Sequence, residues 1–133
     1  EERGYDPAMT RAVQLTHAED LIREASSLHS TSVLLHELAH AYHDQVLTFD
    51  DPHVLAAYQR CVEGTTYPER DWVKSNHKEF FAGVTTRYFG TKEERDAVGV
   101  RDPVLEAFLK KTWGTPLATM DTPWKTNQRT TPE

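Results

Sequence analysis

The segment His36-Glu37-Leu38-Ala39-His40 has the residue types and the spacing of a metal-binding helix. Residues four apart lie on one face of an α-helix, about one turn from each other, so the imidazoles of His36 and His40 can reach the same ion. Glu37 stands between them, where its carboxylate can accept a proton from a metal-bound water. This HExxH arrangement predicts a Zn²⁺ site that activates water.

The surrounding residues predict the helix that carries this motif. Apolar side chains follow one another on most sides of it between Val33 and Leu47, which is typical of a helix in the centre of a domain. The hydroxyl residues just before the run can cap its first turn. We therefore expect this helix to span about Thr31 to Leu47.

A catalytic zinc site usually has three protein ligands and a water, so one more ligand must come from elsewhere in the chain. Glu79 is the favoured candidate, because it lies in the first turn of a helix that we expect to start at Ser75 or Asn76. Small side chains on its face, and beside the two histidines, would let the two helices approach closely. These small residues are Ala39, Ala82, Gly83 and Thr86.

Other histidines are weaker candidates for the third ligand. His43 lies seven residues after His36, but a spread of about 10 Å along the helix axis is too long for three bonds of about 2 Å to one ion. We therefore place His43 in the wall of the site or behind the ligands. His77 could line the cleft, and His53 is better explained as a solvated surface residue.

A metal-free explanation of the motif is that the two histidines are buried polar residues bonded to the backbone. Each polar group of the motif would then need its own partner, at a cost of roughly 1–3 kcal/mol where none is found. One metal ion satisfies all three groups together, so we favour the metal site.

The remaining helices are predicted from their caps and their glycine ends. They run from Pro7 to Leu28 as one broken helix or two, from Pro52 to Gly64, from Asn76 to Gly90, from Thr91 onward, and from Pro103 to Trp113. No strand is predicted. The expected fold class is mainly α, with little or no sheet.

The length of 133 residues is typical of one domain. We predict a single domain over residues 1–115 and an extended or disordered tail, rich in proline and threonine, over residues 116–133. The net charge of −6, without a cluster of Lys or Arg, argues against nucleic acid as a partner.

No apolar stretch approaches the roughly 20 residues that a membrane span needs, and Glu1-Glu2-Arg3 does not open a signal peptide. The single cysteine, Cys61, rules out an intrachain disulfide and zinc sites built from several cysteines. It leaves the compartment open.

Two segments resemble the gluzincin branch of the HExxH zinc metallopeptidases, and within it the relatives of the anthrax lethal factor protease domain. They are Leu35–Ala41 (LHELAHA) and Asn76–Ala82 (NHKEFFA), and the resemblance covers about Val33 to Gly90. It implies a compact zincin-like helical core in which a central HExxH helix packs against a glutamate helix. The zinc ligands that it implies are His36, His40 and Glu79, with Glu37 as general base.

Three features depart from that family. Gly83 stands four residues after Glu79, where gluzincins commonly carry an acidic residue that orients a histidine ligand. Trp72 stands where lethal factor relatives tend to have a tyrosine that stabilises the transition state, so Tyr67 or His77 would take that role. The family usually has an upstream sheet whose edge strand holds the peptide. Its absence here implies a partner or a missing upstream segment that completes the substrate cleft.

These observations predict a zinc-dependent metallopeptidase with a peptide or protein substrate. Glu37, His77 and Tyr67 are the predicted catalytic residues, and His43 is a further alternative for stabilising the oxyanion. The competing prediction is a catalytically weak or inactive zinc-stabilised module that binds a protein segment without cutting it. The departures at Gly83 and Trp72 and the missing edge strand favour that second prediction.

Overall fold

The computed structural model describes residues 32–116, and this part of the chain is mainly helical and contains no strand. Helix α1 spans Ser32–Tyr42 and continues into a π-helical turn, His43–Leu47. The elements that follow are helix α2 (Pro52–Glu63), a 3₁₀ turn (Trp72–Lys74), helix α3 (His77–Tyr88), helix α4 (Lys92–Arg101) and helix α5 (Pro103–Trp113). The mainly α fold class is confirmed.

The helices begin at the caps that the sequence predicts. Carboxylates of Asp51 and Asp102 accept backbone N–H bonds at the starts of α2 and α5, where each is followed by proline. Thr91 forms the predicted capping box of α4. The side chain of Asn76 accepts the backbone N–H of Glu79 at 2.9 Å, so this cap fixes the turn of α3 that carries the candidate ligand.

Helix α3 is the central element of the described fold. It packs against α1, α2, α4 and the 3₁₀ turn, and every residue from Phe80 to Thr85 is buried. A helix can bury six consecutive residues only when neighbours surround it. The helix that carries Glu79 is therefore surrounded by other elements within residues 32–116.

Helix α1 is more exposed than its apolar sequence predicts. Ala39 is fully buried, but Leu34 and Leu38 are 40% and 47% exposed. In the π-helical turn His43 is fully buried and Val46 is 59% exposed. Among the described residues, α1 therefore buries the face that is turned towards α3.

The core beside α3 is built from α2 and α5. It includes Cys61, which is 4% exposed, and burial raises the pKa of its thiol. Two predicted segments, the helical stretch from Pro7 to Leu28 and the tail beyond residue 116, lie outside the described residues. Among the helices that are described, none combines the length and the apolar character that a membrane span requires.

Candidate metal centre

The side chains of His36, His40 and Glu79 meet where α1 packs against α3. Nε2 of His36 lies 3.0 Å from Oε2 of Glu79, and Nε2 of His40 lies 3.2 Å from Oε1 of the same carboxylate. The two Nε2 atoms are 3.1 Å apart. Each of the three side chains is between 21% and 23% exposed, so the group is partly buried and keeps some contact with solvent. The fold thus brings together the three ligands predicted from the sequence.

The spacing of these donor atoms fits a single small ion. In a tetrahedral site with bonds of about 2.0–2.1 Å, neighbouring ligand atoms are about 3.3 Å apart. The three observed distances are within a few tenths of an ångström of that value, so small side-chain movements would let all three residues bind one ion. Within residues 32–116, no other group of three or more such side chains is close enough to hold a metal.

The electrostatics of the group favour the protonation states that bind a cation. Burial, followed by the charge of His36, lowers the pKa of His40 more than the carboxylates of Glu79 and Glu37 raise it. Burial also acts to raise the pKa of Glu79, but a hydrogen bond from Trp72 and the charges of the two histidines outweigh it, so this pKa is lowered. A neutral imidazole and an ionised carboxylate are the forms that coordinate a divalent ion.

Glu37 lies beside the ligand group on α1. It directly follows His36 in the helix and is half-buried, and it is near enough to His40 for its charge to raise that residue's pKa. A carboxylate in this position is available to a water molecule held by the neighbouring ligands.

Trp72 is the site residue that sequence reasoning missed. Its indole Nε1 donates a hydrogen bond to Oε2 of Glu79 at 2.5 Å. The sequence marks this tryptophan only as a departure from the gluzincin pattern. The contact could not be read from helical spacing, because Trp72 lies in the 3₁₀ turn and not in α3.

The close approach of α1 and α3 agrees with only part of the predicted small-residue face. Ala39 and Ala82 are fully buried, and Thr86 is half-buried, with its hydroxyl bonded to the carbonyl of Gly83. Gly83 has a neighbour that was not predicted: a Cβ added there would lie 2.8 Å from Cγ1 of Val73. The missing side chain at this position therefore makes room for the 3₁₀ turn.

His43 lies behind the ligands rather than among them. Its ring is fully buried, neither ring nitrogen has a hydrogen-bond partner, and its centroid is 5.1 Å from that of Phe49 and 4.8 Å from that of Phe81. Burial, helped by the charge of His77, lowers its pKa to about 4. This position agrees with the prediction that His43 is not the third ligand.

The structure does not bring the other predicted site residues into contact with the ligand group. The ring of His77 lies 6.0 Å from that of His43 and 6.3 Å from that of Tyr58. Because it is two positions before Glu79, it points to a different side of α3. Tyr67 has a buried hydroxyl without a hydrogen-bond partner.

The ring of Tyr67 lies next to two guanidinium groups, at 5.4 Å from Cζ of Arg87 and 4.6 Å from Cζ of Arg101. His53 has a side chain that is 67% exposed and stacks on Phe108 with 5.1 Å between centroids. His53 is therefore the surface residue that the sequence predicts.

Comparison with known protein families, with curated proteins and with solved structures found no match to this chain. The resemblance to gluzincins therefore depends on the two sequence motifs alone.

Proposed function

We propose that this protein is a zinc-dependent metallopeptidase that hydrolyses peptide bonds in a peptide or protein substrate. The observation that carries the proposal is the meeting of donor atoms from His36, His40 and Glu79 at separations of 3.0–3.2 Å, with Glu37 beside them. Two imidazoles and one carboxylate form a ligand set of catalytic zinc sites. The three side chains are only partly buried, so water can reach the group.

The residues have distinct roles in the proposed reaction. A zinc ion in this site would supply Lewis-acid chemistry, because it lowers the pKa of water and polarises the scissile carbonyl. Glu37 accepts the proton of the attacking water and delivers it to the leaving amine. The sequence offers His77, His43 and Tyr67 as alternatives for the group that stabilises the oxyanion. His43 and Tyr67 are buried, so His77, which is half-buried, is the alternative that we retain.

The proposal is tested by separating metal binding from hydrolysis. We expect about one zinc per purified chain by mass spectrometry of the metal, as in a single site with three protein ligands. Glu37→Gln should retain the zinc and lose chelator-sensitive cleavage of a fluorogenic peptide library. Glu79→Ala should lose the zinc. Glu63→Gln is the matched control, since Glu63 is an exposed carboxylate on α2, and this variant should keep both zinc and activity.

Three outcomes would contradict parts of this proposal. Absence of zinc from the wild-type protein would refute the metal site. Loss of zinc from Glu37→Gln would show that Glu37 is a ligand and would refute its role as base. Full cleavage activity in that variant would refute the proposed mechanism.

A zinc-stabilised module that binds a protein segment without cutting it is the second candidate. It is favoured by the hydrogen bond of Trp72 to Glu79, because this residue stands where the resembled family has a transition-state donor and is instead bonded to a ligand. Such a module would contain zinc and bind peptides, but it would show no chelator-sensitive turnover. The peptide library with and without chelator therefore distinguishes the two candidates.

A further inference from the structure

Trp72 combines an exposed ring with a fixed polar atom. The residue is 66% exposed, yet its indole Nε1 donates a hydrogen bond of 2.5 Å to Oε2 of Glu79. The same oxygen lies 3.0 Å from Nε2 of His36. Because so little of the ring is buried, packing explains little of its position. Its closest polar contact is with the candidate metal ligand.

The packing of the 3₁₀ turn on Gly83 fixes where this indole lies. Val73, the residue after Trp72, is 1% exposed, and its Cγ1 occupies the space that a side chain at Gly83 would need. Any Cβ at position 83 would come within 2.8 Å of it. Gly83 is one helical turn after Glu79, so the glycine brings the turn against the part of α3 that carries the ligand.

Hydrogen bonds hold both ends of the turn. At its start, Asp71 accepts the backbone N–H of Val73 at 3.1 Å and binds Nη2 of Arg87 at 2.8 and 3.0 Å. At its end, the carbonyl of Lys74 accepts the hydroxyl of Tyr58 at 3.0 Å. Since Arg87 belongs to α3 and Tyr58 to α2, the turn is fixed to two helices and its position does not depend on the exposed indole.

We propose that the 3₁₀ turn, packed on Gly83, supports the metal ligand from behind, and that the indole N–H of Trp72 is the positioning donor that holds the Glu79 carboxylate towards the two histidines. This inference rests on the proposed metal site. It gives one explanation for the departures at Gly83 and Trp72 from the gluzincin pattern: position 83 has no acidic side chain because it accommodates the turn, and the turn provides a donor to the glutamate.

Removal of the indole N–H tests the donor. Hydrogen-bond partners behind metal ligands typically change metal affinity by about 10–100-fold, and we expect a loss of that size for zinc in Trp72→Phe, measured by competition with a chromophoric chelator. The thermal midpoint of the metal-free protein should stay unchanged. The visible spectrum of the cobalt-substituted protein should change, because the orientation of a ligand changes.

Trp113→Phe is the matched control. The indole of Trp113 donates to Oγ1 of Thr85 at 3.3 Å and not to a candidate ligand, so its removal should leave zinc affinity and the cobalt spectrum as in the wild type. If the zinc affinity of Trp72→Phe is also within about twofold of the wild-type value, the positioning role is refuted, because the loss of a hydrogen-bond partner behind a ligand usually has a much larger effect. If the wild type binds no zinc, the proposed function itself fails, so the two failures are distinguishable.

A second set of variants tests the role of position 83. Gly83→Ala should displace Val73 and weaken zinc binding, and Val73→Ala in the same chain should restore part of the affinity by returning the space. In the Trp72→Phe background, Gly83→Ala should have little further effect, because both changes act through the same donor. Independent effects of the two substitutions, or no rescue by Val73→Ala, would overturn the link between the turn and the ligand.

Discussion

Replacement of His43 by leucine should make the protein more resistant to mild acid. The imidazole is fully buried and neither of its nitrogens has a hydrogen-bond partner. Burial, together with the positive charge of His77, lowers its pKa from 6.5 to about 4 in the folded protein. The unfolded chain retains a value near 6.5, so it takes up a proton before the folded protein does as the pH falls.

The size of the effect follows from these two pKa values. Between about pH 6.5 and pH 4 the unfolded state binds more protons than the folded state, so the free energy of unfolding decreases as the pH falls. The loss attributable to His43 is about 2 kcal/mol at pH 5 and about 3 kcal/mol below pH 4. His43→Leu keeps a similar volume and removes the titration. When the pH falls from 7 to 5, the free energy of unfolding of the wild type should therefore decrease by about 2 kcal/mol more than that of the variant.

Urea unfolding at pH 5, 6 and 7, followed by circular dichroism, measures this difference. A chelator in every sample removes any contribution from bound metal, and the difference between variant and wild type cancels the titration of the groups that do not interact with His43. His53→Leu, at a side chain that is 67% exposed, is the control for replacing a surface histidine by leucine. If wild type and His43→Leu lose stability equally between pH 7 and pH 5, the reasoning is refuted.

Three further predictions concern helix ends, packing and metal. Asp102→Ala removes the N-cap of α5 and should lower the free energy of unfolding in urea by about 1–2 kcal/mol. Asp96→Ala, at an exposed ion pair, should lower it by less than about 1 kcal/mol. Equal losses in the two variants would contradict this prediction. Tyr88→Phe removes a 2.7 Å bond to the carbonyl of Gly114 and should cost about 1 kcal/mol, and an unchanged urea midpoint would argue against it. Chelator should lower the thermal midpoint of the zinc-loaded protein but not that of His40→Ala, and the same shift in both would refute metal binding at this site.

The sequence predicts the starts of the helices well because caps are local. An aspartate followed by proline, as at Asp51 and Asp102, satisfies backbone donors within its own turn, so no distant residue is needed to specify it. The meeting of His36, His40 and Glu79 was also predictable, since a metal motif calls for a third ligand and few candidates fit.

What the sequence does not reveal depends on contacts between elements that are distant along the chain. Gly83 was expected to allow α1 to approach, but its empty side is filled by Val73. The apolar Leu38 is exposed because burial depends on the neighbours that a face acquires and not on its composition alone. The bond from Trp72 to Glu79 joins a turn to a helix, and no periodicity encodes such a pair.

Cys61 makes the folded protein a convenient subject for thiol chemistry. It is the single cysteine of the chain, it is buried, and its raised pKa keeps little of it in the reactive thiolate form. A cysteine introduced on an exposed surface would therefore be labelled first and selectively. The much slower modification of Cys61 would report how often the core around α2 opens. A comparison of this rate with and without zinc would show whether a metal bound between α1 and α3 also stabilises α2, a helix that supplies none of the proposed ligands.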